Sequence, residues 1–175
     1  PWKPGQPYGK NQTLQDFGGG ACAVNITLLP EERVIATLQW DDPWGHSFTD
    51  YDLVLTDPRS GAVLATSNFT QNGSTDPFEH LVYDPPGPNA EKVSLQIVRN
   101  GQTGTPNILE LFIRGVDAKG VDNAFMKDPT DSIFGHAAVE EVVTVGSVEP
   151  AAPFTISPDS SHGPVTIRYP VPTKR

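Results

Sequence analysis

The strongest constraint on this chain is a pair of strict alternations. In Val34-Ile-Ala-Thr-Leu-Gln-Trp40, residues Val34, Ala36, Leu38 and Trp40 share one parity, while Thr37 and Gln39 take the other. In Asp50-Tyr-Asp-Leu-Val-Leu-Thr-Asp57, residues Tyr51, Leu53 and Leu55 oppose Asp52, Val54 and Thr56. Successive side chains of an extended chain point to opposite faces, so a period of two buries one face and wets the other. These segments predict two half-buried strands joined by the polar connection Asp41-Asp-Pro-Trp44 and its neighbours.

Further short candidates surround this pair: Val24 to Leu28, Ala62 to Thr66, Glu79 to Tyr83, Lys92 to Arg99, and Leu109 to Ile113. Turn residues separate them. Asp57-Pro58-Arg59-Ser60-Gly61 is the clearest case, with Pro fixing φ and Gly supplying a left-handed position. Asn72-Gly73, Pro85-Pro86-Gly87-Pro88 and Asn100-Gly101 mark other breaks. The content of 18 Pro and 16 Gly suits many short strands better than helices. The fold expected over residues 13–115 is an all-β, jelly-roll-like β-sandwich of about seven to eight antiparallel strands. Residues 1–12, dense in Pro and Gly, read as a linker or tail.

With 12 basic and 21 acidic residues the net charge is -9. That sign argues against nucleic acid and anionic membranes as partners. No apolar run is long enough for a helical membrane span. The single cysteine, Cys22, excludes an internal disulfide framework and a Cys-based zinc site; among Ala21, Ala23 and Val24 it reads as a small buried side chain. Gly18-Gly-Gly20 lacks the Lys-Ser/Thr of a phosphate-binding loop and reads as a turn. Pro1-Trp-Lys-Pro4 shows no methionine and no signal-peptide pattern, so the chain reads as a piece of a longer protein.

After Gly115 the pattern changes. Val116 to Thr130 is polar, and the next segment holds a candidate helical turn, Gly135-His-Ala-Ala138, and an unbroken apolar run, Val142-Val-Thr-Val145. Such a run fits a strand buried on both faces, as in a parallel α/β sheet. Glu141-Val-Val-Thr-Val-Gly-Ser-Val148, followed by Asp159-Ser-Ser-His-Gly-Pro164, resembles the subtilisin-like serine peptidases (subtilases). That family has a strand reading V-I-x-V-G-A-V and then a loop reading F-S-S-x-G-P. Asp159 stands where the family has Phe, so no subsite preference carries over. Within the sandwich, Asp50-Tyr-Asp-Leu-Val-Leu-Thr-Asp-Pro58 and Gly61 are similar to the D-x-D-L-x-L-x-D-P-x-G pattern of pre-peptidase C-terminal-like domains. Those are small jelly rolls attached to secreted bacterial peptidases.

Together the resemblances imply an accessory sandwich inserted late in a subtilisin-like catalytic domain. Residues 116–175 would be the returning α/β segment, and the parent an extracellular or cell-surface endopeptidase acting on polypeptide substrates. Its partners would be the rest of that peptidase and, through the unpaired edge of the apolar strand, a second copy. Serine peptidases need a nucleophile, a base, an orienting acid and an oxyanion hole. The family's G-T-S-x-A-x-P and H-G-T-H segments are missing here, so no residue is assigned a catalytic role and the chain alone is expected to be inactive.

His136 and Glu140 lie four apart but do not form H-E-x-x-H; His46, His80 and His162 are scattered, and no metal triad emerges. Asp41, Asp42, Asp50, Asp52 and Asp57 crowd one connection, and carboxylate oxygens suit calcium. Asp42, Asp50 and Asp52 are the candidate ligands, set against the common use of turn aspartates to cap backbone N–H groups. Trp2, Tyr8 and Trp44 form a candidate aromatic platform, set against core or interdomain packing. Sequons at Asn11, Asn25, Asn68 and Asn72 matter only in a eukaryotic secretory host. The competing expectation is a free-standing carbohydrate-binding, protein-binding or adhesion module.

Overall fold

The computed structural model describes residues 1–101, 106–121, 130–139, 141–151, 153–157, 160–167 and 173–174. The chain divides into two compact units, Pro1–Met126 and Lys127–Arg175.

The first unit is all-β. Among the described residues its nine strands are β1 (Pro4–Gly9), β2 (Gln12–Gln15), β3 (Val24–Leu28), β4 (Val34–Trp40), β5 (Asp50–Thr56), β6 (Val63–Ser67), β7 (Phe78–Tyr83), β8 (Glu91–Asn100) and β9 (Leu109–Arg114). Every pairing is antiparallel. One sheet runs β1-β2-β8-β5-β6, and the other runs β7-β4-β9. The ten-residue β8 is long enough to take two partners on one edge: β2 pairs with its Val98–Asn100 end and β3 with Glu91–Leu95.

The alternations become the core. Val34, Ala36, Leu38 and Trp40 of β4 meet Tyr51, Leu53 and Leu55 of β5, joined by Val93, Leu95 and Ile97 of β8 and Val24, Ile26 and Leu28 of β3. Each fully buried aliphatic side chain here is worth about 1.5–3 kcal/mol relative to exposure. Val54, of opposite parity, joins Leu14 and Val98 in a second, smaller cluster. The Asp57–Gly61 turn forms as its residues predict. Asp57 N donates to Ala62 O at 2.9 Å, Gly61 N donates to Asp57 O at 2.8 Å, and Gly61 has φ 72°.

Two sequence expectations are corrected in this unit, and one open alternative is decided. Residues 1–12 are not a tail: β1 and the start of β2 form a hairpin on the outer edge of the larger sheet. An edge strand tolerates Pro4 and Pro7 because half of its N–H groups have no ladder partner, and its exposed side chains leave no apolar period to read. Trp2 takes the core alternative rather than the platform, its ring 5.3 Å from Tyr51 and its backbone N–H donating to Asn107 O at 2.6 Å. Residues 116–121 also belong with the sandwich: Val116 and Val121 pack on its core, and Val121 bridges to Ile26. Asp117 caps the 3-10 turn Ala118–Gly120 by accepting from Lys119 N at 2.8 Å, while its own N–H donates to Glu32.

The second unit has little regular structure among the described residues. Gly135–Ala138 forms the expected helical turn, as a 3-10 segment, and a two-stranded ladder joins β10 (Thr166–Ile167) to β11 (Thr173–Lys174). Isolated bridges link Val148 to Ile156 and Thr130 to His162. Val142–Val145, expected as a strand buried on both faces, joins no ladder, and Val143 and Val145 are 89% and 83% exposed. The α/β arrangement expected for residues 116–175 is therefore not formed among the described residues. A doubly buried strand needs neighbours on both edges and cover on both faces.

Candidate functional site

Asp42 organises one end of the sandwich. Its carboxylate accepts from six groups: Trp40 Nε1 (3.3 Å), Ser47 Oγ (3.0 Å), Phe48 N (3.1 Å), Thr49 N (2.8 Å), Thr49 Oγ1 (3.4 Å) and Asn107 Nδ2 (2.8 Å). Burial alone would raise its pKa, but the bonds from Thr49 N–H, Asn107 and Ser47 outweigh that and hold it below the usual carboxylate value. Asp41 accepts from Asn107 Nδ2 (2.9 Å) and Ile108 N (3.0 Å), which ties the β4–β5 connection to the start of β9. Tyr51 OH donates to Asn107 Oδ1 at 3.2 Å, and burial drives its pKa upward. Arg99 lies 5.8 Å from both the Trp2 and Tyr51 ring centroids, closing this end with a cation over aromatic faces.

The three candidate calcium ligands do not converge. Asp50 and Asp52 sit on the face of β5 opposite Tyr51, whereas Asp42 bonds Asn107, the partner of the Tyr51 hydroxyl. Asp50 Oδ1 accepts from Gln71 N (3.1 Å) and Asp52 Oδ2 from Asn100 Nδ2 (2.9 Å). Burial raises the Asp52 pKa, with the Asn100 bond opposing it. Asp57 Oδ1 is occupied by Arg59 N and Ser60 N in its own turn. Among the described residues no group of three His, Cys, Asp or Glu side chains could hold a metal ion. These aspartates are placed as caps and crosslinks.

The other candidates are equally dispersed. His80 lies on the outer face of β7, its Nδ1 3.1 Å from Thr37 Oγ1 and its ring stacked 6.2 Å from Phe78. His46 sits in a turn in which its N–H donates to Pro43 O, and His136 in the Gly135–Ala138 turn. His162 N donates to Ser132 Oγ at 3.0 Å. Glu140 and Asp159 lie outside the described residues. Cys22 is half-buried rather than buried; its Sγ takes the Gln6 N–H at 3.4 Å, in space left by the absent Cβ of Gly5. The Gly18 and Gly20 N–H groups both donate to Asp16 Oδ1, so that glycine run serves its own turn.

Two features were not anticipated from sequence. Glu79, fully buried, receives bonds from Ser67 Oγ and from Gln71 Nε2 (2.8 Å). Ser67 Oγ in turn accepts from His80 N (3.1 Å), and Gln71 Oε1 accepts from Tyr51 N (3.2 Å). Burial pushes the Glu79 pKa up, against these hydrogen bonds. The available signal was parity, because Glu79 shares the inward face of β7 with Leu81 and Tyr83. The second feature is the set of rings that joins Trp44 at the tip formed by the β4–β5 and β6–β7 connections: of the candidate platform Trp44 is displayed there and Tyr8 is exposed on β1, whereas exposed Phe48 and Phe69 were not anticipated.

In the C-terminal unit the segments 141–148 and 159–164 touch through Ser147 and Ser160. Ser147 N donates to Ser160 Oγ at 3.1 Å, and a Cβ on Gly146 would stand 3.0 Å from that oxygen. Ile133, Val142, Val148, Ile156 and His162 help line an open cavity of about 790 Å³. Ser160 Oγ donates to Ser161 O, and among the described residues it shows no hydrogen bond to a base. Comparison with known proteins finds no family model, no curated protein and no solved structure that matches the chain.

Proposed function

We propose that the chain is a piece of a secreted subtilisin-like serine peptidase. Its β-sandwich serves as an accessory domain that positions polypeptide substrate or stabilises the enzyme, and Lys127–Arg175 contributes to the catalytic domain. The acyl-enzyme chemistry belongs to triad residues outside this chain. The observation that carries the reading is Val142–Val145, whose Val143 and Val145 are 89% and 83% exposed. An apolar run without alternation has no use on a wet surface, and burying each valine would contribute about 1.5–3 kcal/mol. The motif around it is the one that resembles a sheet strand of the family, and the Ser147–Ser160 contact joins it to the second motif.

The test is complementation. The chain is co-expressed with the upstream and downstream segments of its parent, and peptide-ester hydrolysis is followed. The reading expects hydrolysis only from the reassembled protein, with the isolated chain inactive. Hydrolysis by the isolated chain, or a sandwich-only parent that folds and functions without any catalytic segment, would sink it. A stand-alone binding module is the second reading, favoured by the exposed aromatic tip of the first unit.

A further inference from the structure

The β4–β5 connection (41–49) and the β6–β7 connection (68–77) are zipped into one tip. Ser47 N donates to Thr75 O (2.9 Å), Gly73 N to Ser47 O (2.7 Å) and Gly45 N to Asp76 Oδ1 (2.8 Å). The Asp42 hub fixes the base of the first loop. This rigid frame displays Trp44 (50% exposed), Phe48 (76%), Phe69 (76%) and Phe78 (37%). Trp44 and Phe78 are 6.4 Å apart between ring centroids. Phe48 lies over Gly73, where a side chain would collide with its ring. Large aromatic residues held on a pre-ordered surface are the groups that dominate binding energy, because little motion is lost when a partner docks.

Charge selects the partner. The sequence contains no Lys or Arg between Arg33 and Arg59, or between Arg59 and Lys92, so neither loop supplies either. Asp41 and Asp42 at the base of the first loop are half-buried and bonded within the fold, and Asp76 at the tip, which accepts from Gly45 N, is the exposed carboxylate. Anionic lipid is repelled by such a surface, and a second copy would bring the same sign against itself. A cation suits both that carboxylate and the faces of the rings.

We propose that this tip binds a polypeptide segment in which Lys or Arg alternates with apolar side chains. The tip belongs to the first unit, and its binding is independent of any peptidase role. Alternation sends the apolar residues onto Phe48, Phe69 and Trp44 and leaves the cations at the rim beside Asp76.

Trp44 is the natural reporter, since Trp2 and Trp40 are each only 5% exposed. The full chain is titrated at low salt with a Lys/Leu-alternating peptide, its Lys/Ser counterpart and its Glu/Leu counterpart, by fluorescence and calorimetry. The proposal expects saturable binding of the Lys/Leu peptide, at least about tenfold tighter than either control. Phe69→Ala should weaken binding about tenfold without moving the melting temperature, since Phe69 is 76% exposed. Asp76→Asn keeps an acceptor for Gly45 N and should weaken binding about threefold at low salt and not at high salt. Equal binding of the three peptides, or unchanged affinity in Phe69→Ala, overturns the proposal. So does preferential binding to phosphatidylcholine vesicles, or a dimer that Phe69→Ala abolishes.

Discussion

Replacing Glu79 with Gln tests the reading of the buried carboxyl network. Glu79 is fully buried, and burial raises its pKa above the ordinary 4.5 despite the bonds from Ser67 and Gln71. A carboxyl whose folded pKa exceeds its unfolded one contributes most below the unfolded value, and that contribution is lost as pH rises through the folded value. The wild-type chain should therefore lose stability relative to Glu79→Gln as pH rises from about 4.5. Glutamine keeps an acceptor for Gln71 Nε2. Its amide can donate to Ser67 Oγ once that hydroxyl turns, so at pH 4 the variant should lie within about 1 kcal/mol of wild type. Glu79→Leu is the contrasting variant. It strands the Gln71 amide and the Ser67 hydroxyl, at about 1–3 kcal/mol for each buried group left unsatisfied. Urea unfolding at pH 4, 6 and 8 measures all three proteins. Parallel stability profiles for wild type and Glu79→Gln would refute the reasoning, as would Glu79→Gln losing ground on wild type toward pH 8. Either result would mean that the hydrogen bonds, rather than burial, decide the charge state.

Asp42→Ala removes the acceptor for six donors and should cost about 2–4 kcal/mol by urea unfolding. Because the folded pKa of Asp42 is depressed, its contribution is present above about 3.8 and fades as pH falls through the folded value; acid titration of wild type against Asp42→Asn reads this directly. Gly120→Ala should destabilise by about 1–3 kcal/mol in a thermal melt, since the added Cβ would lie 2.5 Å from Thr27 O. Val145→Asp should leave the stability of the isolated chain within about 0.5 kcal/mol, as expected of a side chain 83% exposed, yet abolish activity in the reassembled parent.

The seven strands predicted from sequence lie where the alternations put them, because burial of one face forces a period of two. β3, β4, β5 and β8 show this most plainly, and even the left-handed glycine of the Asp57–Gly61 turn was legible. β1 and β2 were not. An edge hairpin tolerates proline and needs no apolar stripe, so residues 1–12 look like a tail. For Trp2 the sequence left platform and core packing open, since its cover comes from Tyr51 and Arg99, far away in sequence. The aspartates show a different limit. Composition could say that Asp42, Asp50 and Asp52 are near in sequence, but the face each occupies and the donors each meets depend on β8 and on Asn107. The Glu79 network combines residues from β6, β7 and the loop between them, and only parity hinted at it. In the C-terminal unit the apolar run read as a strand, yet Val142–Val145 joins no ladder, and the sheet that such a strand requires is not present among the described residues.

The central claim is that an independently folded sandwich is joined to a segment whose packing partners lie elsewhere. Limited proteolysis of the purified chain, with mass mapping of the resistant core, tests it most directly. The account predicts early cleavage within residues 127–175, around Val142–Val145, and a resistant fragment ending near Met126. A chain that resists as one unit, or one cut first between the strands of the sandwich, would contradict it.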